Sequence, residues 1–130
     1  MQKWQMRHGA FGWVELLTSD VAAAKDFYAE LFGWTLEDEP AGGTAYTVIR
    51  QDGNEVGGIM RIPDEVKQMG VPPHWGIYVT VDDVDAVAKK AEEMGGKILR
   101  PPMDIPRVGR FCVLMDPQGS VLQLITYAMK

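Results

Sequence analysis

The chain has 130 residues, 46% of them hydrophobic, which suits one globular domain and leaves little scope for disorder. Its 18 acidic and 13 basic residues are scattered along the chain and give a net charge of −5, so the surface favours solubility and repels phosphate backbones; nucleic acid is not an expected partner. No stretch approaches the roughly 20 apolar residues of a spanning helix, Met1-Gln2-Lys3-Trp4-Gln5 is no apolar leader, and the single Cys112 cannot form an intrachain disulfide, so a cytoplasmic protein without membrane contact is expected.

Phe11 to Thr18 (FGWVELLT) reads as a strand, followed by Ser19-Asp20 as a helix start with Asp20 at the N-cap. Val21 to Phe32 sets Val21, Ala24, Phe27, Tyr28 and Leu31 at helical spacing, and Gly33 ends the helix where a left-handed residue is least costly. Three strands are predicted next: Trp34 to Asp38, Thr44 to Arg50 after a Gly42-Gly43 turn, and, beyond the turn Asp52-Gly53-Asn54, Glu55 to Arg61. A proline-bearing linker, residues 62–73, leads to the same order again: strand Trp75 to Val81, cap Asp82-Asp83, helix Val84 to Met94, and the stop Gly95-Gly96. The last three strands are Lys97 to Arg100, running toward the Pro101-Pro102 break, then Gly109 to Met115, then Val121 to Tyr127 after the turn Asp116-Pro117-Gln118-Gly119.

Aligning Asp20 with Asp83 superposes strand on strand and helix on helix, so the fold class is α+β with two βαβββ modules in a single domain, about 9–61 and about 74–128. Each helix can cover one face of its sheet, leaving the opposite face to be buried by the other half or a partner chain, and two such faces make a cleft. A ferredoxin-like βαββαβ sandwich with extra strands is the rival arrangement.

The segments WVELLTSDVAAAKDFYAELFGW, VTVDDVDAVAKKAEEMGGKIL and GRFCVLMDPQGSVLQLI resemble, in this order and spacing, the vicinal-oxygen-chelate superfamily of glyoxalases, bleomycin-resistance proteins and extradiol dioxygenases, in particular glyoxalase-like proteins with LFGW and GRF.V..DPQG. The resemblance covers nearly the whole chain and implies cupped mixed sheets around a small-molecule cavity, usually in a homodimer. In metal-dependent relatives four side chains, commonly His or Glu with some Gln, reach into the cup from the first and fourth strands of each module. The corresponding positions here are Trp13, seven residues before Asp20, Gly76, seven before Asp83, Gly58 within Glu55-Val56-Gly57-Gly58-Ile59, and Gln123. Indole offers a metal no lone pair, glycine offers no side chain, and a lone amide is a weak ligand. No cofactor is therefore expected, and a divalent metal at the family position is not. His8 and His74 are the only imidazoles; His74 either shares a strand face with Gly76 in a displaced metal site or is an exposed strand-start residue after Pro73.

With Trp13 turned inward, alternation puts Glu15 and Leu17 on the same face and Val14, Leu16 and Thr18 toward the helix. A carboxylate on an apolar face is driven toward its neutral form unless a cation or donor reaches it, which is how a proton-transfer group is tuned; Glu15 is the candidate. The competing reading is a Glu satisfied by Arg50, Arg110 or backbone amides, or one at the rim. Arg110 is a candidate for an anionic ligand or a plain surface arginine. Gly76, Tyr78 and Thr80 share one face of their strand, and Val121, Gln123 and Ile125 share that of the last. The space left by Gly58 and Gly76 suits an organic ligand flanked by Trp13, Tyr46 and Tyr78, unless those aromatics pack together and close it. Cys112, inside a strand with no neighbouring His, reads as a buried inert thiol.

The leading functional expectation is a metal-independent member of the superfamily that binds or transforms a small hydrophobic or aromatic metabolite or drug between Trp13, Tyr46, Tyr78 and Gln123. Any turnover would be lyase- or isomerase-like, with Glu15 moving the proton. Two alternatives stand beside it: a metal-dependent lyase or dioxygenase assembled from His74, Glu15 and Gln123, and a noncatalytic interaction subunit.

Overall fold

A computed structural model of the chain describes residues 3–39, 46–105 and 108–128. Two compact units divide it: the first takes residues 13–76, the second the residues before 13 and after 76. The division falls inside the strands β1 (Phe11–Thr18) and β5 (His74–Thr80). The expected element order holds, so the architecture is α+β with a βαβββ unit repeated.

In the first unit β1 leads into α1 (Val21–Phe32), and β2 (Thr35–Glu39), β3 (Tyr46–Gln51) and β4 (Asn54–Arg61) follow. β1 lies parallel to β4, which pairs antiparallel with β3, which pairs antiparallel with β2. The β3–β4 turn is tight because Asp52 (φ 52°) and Gly53 (φ 80°) both adopt positive φ, the pairing that matches strand twist. Asp20 caps α1 by accepting from the Ala23 amide at 3.0 Å, and Gly33 (φ 72°) closes it by donating to the Ala29 carbonyl at 2.8 Å. The helix packs Val21, Ala24 and Tyr28 against Leu16, Ile49 and Ile59, with Trp34, Leu36 and Val56 around them. Period-two alternation in β1 therefore sends Leu16 into this core and frees the other face of the sheet. Predicted strand edges shift by a residue or two; Gly42-Gly43 and the predicted start at Thr44 lie outside the described residues.

The stretch predicted as a plain linker contains a short helix, α2 (Asp64–Gln68), which opens after Pro63 and carries Asp64 and Glu65 in its first turn. Ile62 anchors it: the side chain is 2% exposed, and its amide donates to the Thr18 carbonyl at 2.9 Å.

In the second unit β5 is parallel to β8 (Val121–Tyr127), which is antiparallel to β7 (Gly109–Met115), which is antiparallel to β6 (Lys97–Ile105). The helix α3 (Val84–Glu93), capped by Asp83 on the Ala86 amide at 3.2 Å, covers Val81, Cys112, Leu114 and Leu124 with Val84 and Ala88. The expected break at Pro101-Pro102 is corrected: β6 runs on to Ile105, with register shifts on either side of Arg100. It pairs only with β7, so a proline without an amide hydrogen is tolerated on its open side.

The amino-terminal residues also belong to the second unit. A short 3-10 helix, Lys3–Met6, which sequence reading missed, precedes backbone bonds from the Gly9 amide to the Thr80 carbonyl (2.7 Å) and from the Thr80 amide to the Ala10 carbonyl (2.8 Å). The Thr80 hydroxyl donates to the Gln5 carbonyl, and Gln5 Nε2 donates to the Gly12 carbonyl at 3.2 Å. A Cβ at Gly12 would overlap the Thr80 hydroxyl and the Gln5 carbonyl, so only glycine lets these segments meet. Among the described residues no helix is long and apolar enough to cross a membrane.

Candidate functional site

On the helix-free face of the first unit, β1 presents Trp13 and Glu15 while β3 presents Tyr46. The Trp13 indole Nε1 donates to the Tyr46 hydroxyl at 2.8 Å, and that hydroxyl donates to Glu15 Oε2 at 2.9 Å. One phenol oxygen is thus held between an N–H donor and a carboxylate acceptor. Glu15 is only 6% exposed, and its Cα partner across β1 and β4 is Gly58. The glycine is what admits the phenol, since a Cβ there would overlap the Tyr46 ring and hydroxyl. Four of the sequence-nominated residues, Trp13, Glu15, Tyr46 and Gly58, are therefore brought together.

The expected arginine partners of Glu15 are committed elsewhere. Arg50 contacts Glu37 and Glu55, each at 3.0 Å, and the hydrogen bond to Glu37 raises its pKa further above the ordinary arginine value. Arg110 bonds Asp85 on α3 at 2.8 Å and Asp104 at 3.2 Å. That contact holds the Asp85 carboxyl below the usual carboxylate range and raises the guanidinium pKa. Sequence reading named Tyr46 as a flank of the site and missed it as the donor to Glu15; Trp13, an aromatic donor on the same β1 face as the carboxylate, was the available signal.

In the second unit Tyr78 and Gln123 are Cα partners on β5 and β8, and Val113 is the partner of Gln123 on β7. The Phe111 ring centroid lies 6.4 Å from that of Tyr78. Gly76 sits half-buried on β5, two residues before Tyr78. Arg110 shares the opposite, helix-covered face with Cys112 and Leu114, away from Tyr78 and Gln123. There it borders a hollow of ≈ 390 Å³ with Asp104, Thr126 and Tyr127. A second hollow of ≈ 280 Å³ is lined by Lys3, Met6, Thr80, Asp82 and Tyr127. The Tyr127 hydroxyl is enclosed beside Thr80 without a well-formed hydrogen bond, and burial pushes its pKa up to about 12.

His74 opens β5 exposed, with Nδ1 2.8 Å from the Pro72 carbonyl. Cys112 is fully buried, and desolvation raises its thiol pKa to about 11. Among the described residues no three His, Cys, Asp or Glu side chains converge as a metal-binding group.

A βαβββ unit with a parallel β1–β4 pair, repeated as β5–β8, is the architecture of one class of proteins. The chain belongs to the Glyoxalase/Bleomycin resistance protein/Dioxygenase superfamily, whose family model matches residues 10–124. It is similar to "Putative glyoxylase CFP32" of Mycobacterium bovis, 40% identical over 122 residues that cover 92% of this chain and 46% of that protein. It is also similar to the anthracycline biosynthesis protein DnrV of Streptomyces peucetius, 38% identical over 125 residues that cover 86% of this chain and 45% of that protein. The chain thus spans just under half the length of these curated relatives. Its fold is like that of a methylmalonyl-CoA epimerase from Mycobacterium tuberculosis, with a TM-score of 0.66 at 18% identity over 90% of this chain and 87% of that one.

Proposed function

We propose that the protein binds a small aromatic or hydrophobic molecule, a metabolite or drug, at the Trp13–Tyr46–Glu15 network without a metal, and that Glu15 is the group that would move a proton in a lyase- or isomerase-like step. The observation that carries this reading is the buried Glu15 carboxylate held by a phenol that is itself held by an indole N–H. A mostly apolar wall with a few placed polar groups is how small-molecule sites are built. The relatives named for glyoxylase activity and for anthracycline biosynthesis are consistent with carbonyl-bearing or aromatic ligands.

The residues at the family's metal positions do not fit a divalent ion. The Trp13 nitrogen is a hydrogen-bond donor engaged by Tyr46, Gly58 and Gly76 have no donor atoms in side chains, and Gln123 contributes one neutral amide. The reading therefore assigns no step to a metal. Tyr78, Phe111, Val113 and Gln123 are the candidate ligand contacts from the second unit, tested by Tyr78→Ala and Gln123→Ala. We further propose a cytoplasmic homodimer, a form in which two chains would match the length of the curated relatives.

Native mass spectrometry together with elemental analysis of protein purified without chelators tests this reading. Metal-free protein that retains or takes up an aromatic ligand, with uptake reduced at least tenfold in Trp13→Ala, is the expected result. Stoichiometric divalent metal would overturn it.

A further inference from the structure

The proposed ligand site is occupied by one of the protein's own side chains, and the way Tyr46 is held specifies what can replace it. Its oxygen accepts from the Trp13 indole at 2.8 Å and donates to Glu15 at 2.9 Å, so the place it fills requires a single oxygen that both accepts and donates a hydrogen bond. An ether or a ketone accepts but has no proton for Glu15. A ligand carboxylate likewise has no proton to donate to Glu15. The ring over Gly58 adds a shape condition: the space is flat and sits directly on backbone, because any Cβ at Gly58 would overlap the phenol. A hydroxyl on a planar aromatic ring meets both conditions.

We infer that the Trp13 N–H, the Glu15 carboxylate and the bare surface of Gly58 form a subsite for a ligand's phenolic or enolic hydroxyl, which Tyr46 fills in the free protein and vacates when ligand binds. This rests on the ligand-binding reading above and narrows it to a ligand class. Tyr46 is suited to leaving. It is half-buried, and its ring lies over the bare backbone of Gly58. Trp13 and Glu15, by contrast, sit within β1, with Glu15 buried, so the donor and acceptor stay in place when the phenol goes. Exchanging one phenol for another keeps the bond that the Tyr46 hydroxyl donates to the buried Glu15, whereas a ligand without a hydroxyl forgoes that bond, and the difference is the source of selectivity.

The test compares 1-naphthol with 1-methoxynaphthalene and naphthalene on the full chain carrying indole-¹⁵N tryptophan, with the Trp13 N–H resonance identified from Trp13→Phe. The subsite predicts that 1-naphthol binds on the order of tenfold more tightly than either analogue. It also predicts that 1-naphthol alone moves the Trp13 resonance and that the preference shrinks to about twofold in Glu15→Gln. Tyr46→Ala, which removes the competing ring, is expected to bind 1-naphthol more tightly than the unaltered protein. Equal binding of all three probes, a Trp13 resonance that ignores 1-naphthol, or weaker binding by a folded Tyr46→Ala would overturn the hydroxyl subsite while leaving a ligand-binding protein. No binding of any probe to the unaltered protein would overturn both.

Discussion

Gly58 sets the position of Tyr46 by having no side chain. Gly58→Ala forces the phenol aside and breaks its bonds to Trp13 and Glu15, so a loss of about 1–3 kcal/mol is expected in urea unfolding, with a change in the near-ultraviolet tyrosine and tryptophan circular dichroism. Tyr127 is the opposite case. Its enclosed hydroxyl lacks a proper partner, so Tyr127→Phe should leave urea stability at neutral pH unchanged or raise it by up to about 1 kcal/mol. Alternation along β1 was enough to put Trp13 and Glu15 on one face from sequence alone. It could not show that Tyr46 leans across Gly58 to reach Glu15, because that depends on the β1–β4 and β3–β4 registers and on a rotamer. The same alternation along β7 ranks Arg110 with Cys112 and Leu114, and applied there it would have turned the guanidinium toward α3 at the outset.

At the scale of elements, the signals that end each helix were the most legible. Asp20 and Asp83 each lend a carboxylate to an amide three residues on, and Gly33 takes the left-handed conformation expected of it. Asp83→Ala should cost about 1 kcal/mol in thermal or urea unfolding, by exposing an α3 amide that nothing else caps. Strand β6 was misread at Pro101-Pro102 because a proline stops a strand only where its missing amide hydrogen is wanted, and which strand lies at a sheet margin is a property of the assembled unit. The helix α2 was hidden for a related reason: five residues carry too little periodicity to stand out from a linker. Acid acts on the elements through Asp38 and Asp85. Lys25, then Thr47, holds Asp38 below the ordinary range, and Arg110 does so for Asp85. Both groups are more acidic folded than unfolded, so their contribution is complete above the usual aspartate pKa and is lost as the pH falls through their lowered folded values. Circular dichroism between pH 5 and 2, with Arg110→Ala showing a shallower acid fall than the unaltered protein, checks this.

At the scale of the whole molecule, the alkaline limb has a definite sign. Cys112 and Tyr127 keep their protons to about pH 11 and about pH 12 in the folded chain, above the ordinary values of 9.0 and 10.0. The unfolded chain releases those protons first, so stability is intact below pH 9 and declines as the pH rises from 9 to 12. Urea midpoints measured at pH 8, 10 and 11 should fall in that order, and less steeply in Tyr127→Phe. The repeated βαβββ order was legible because two capped helices of similar length each followed a strand; the hydrogen-bonded hold of residues 3–12 on the second unit was not, since no periodic pattern marks a segment held by Thr80 and Gln5.

The sole thiol of the protein lies shut beneath α3 with no exposed surface, between β6 and β8. That makes Cys112 a clock built into the fold: a thiol reagent can reach it only when the second unit opens, so the rate of modification counts openings one by one without any label being added. A bound ligand that steadies the second unit would slow the clock, and one that steadies only the first would leave it running at its own pace.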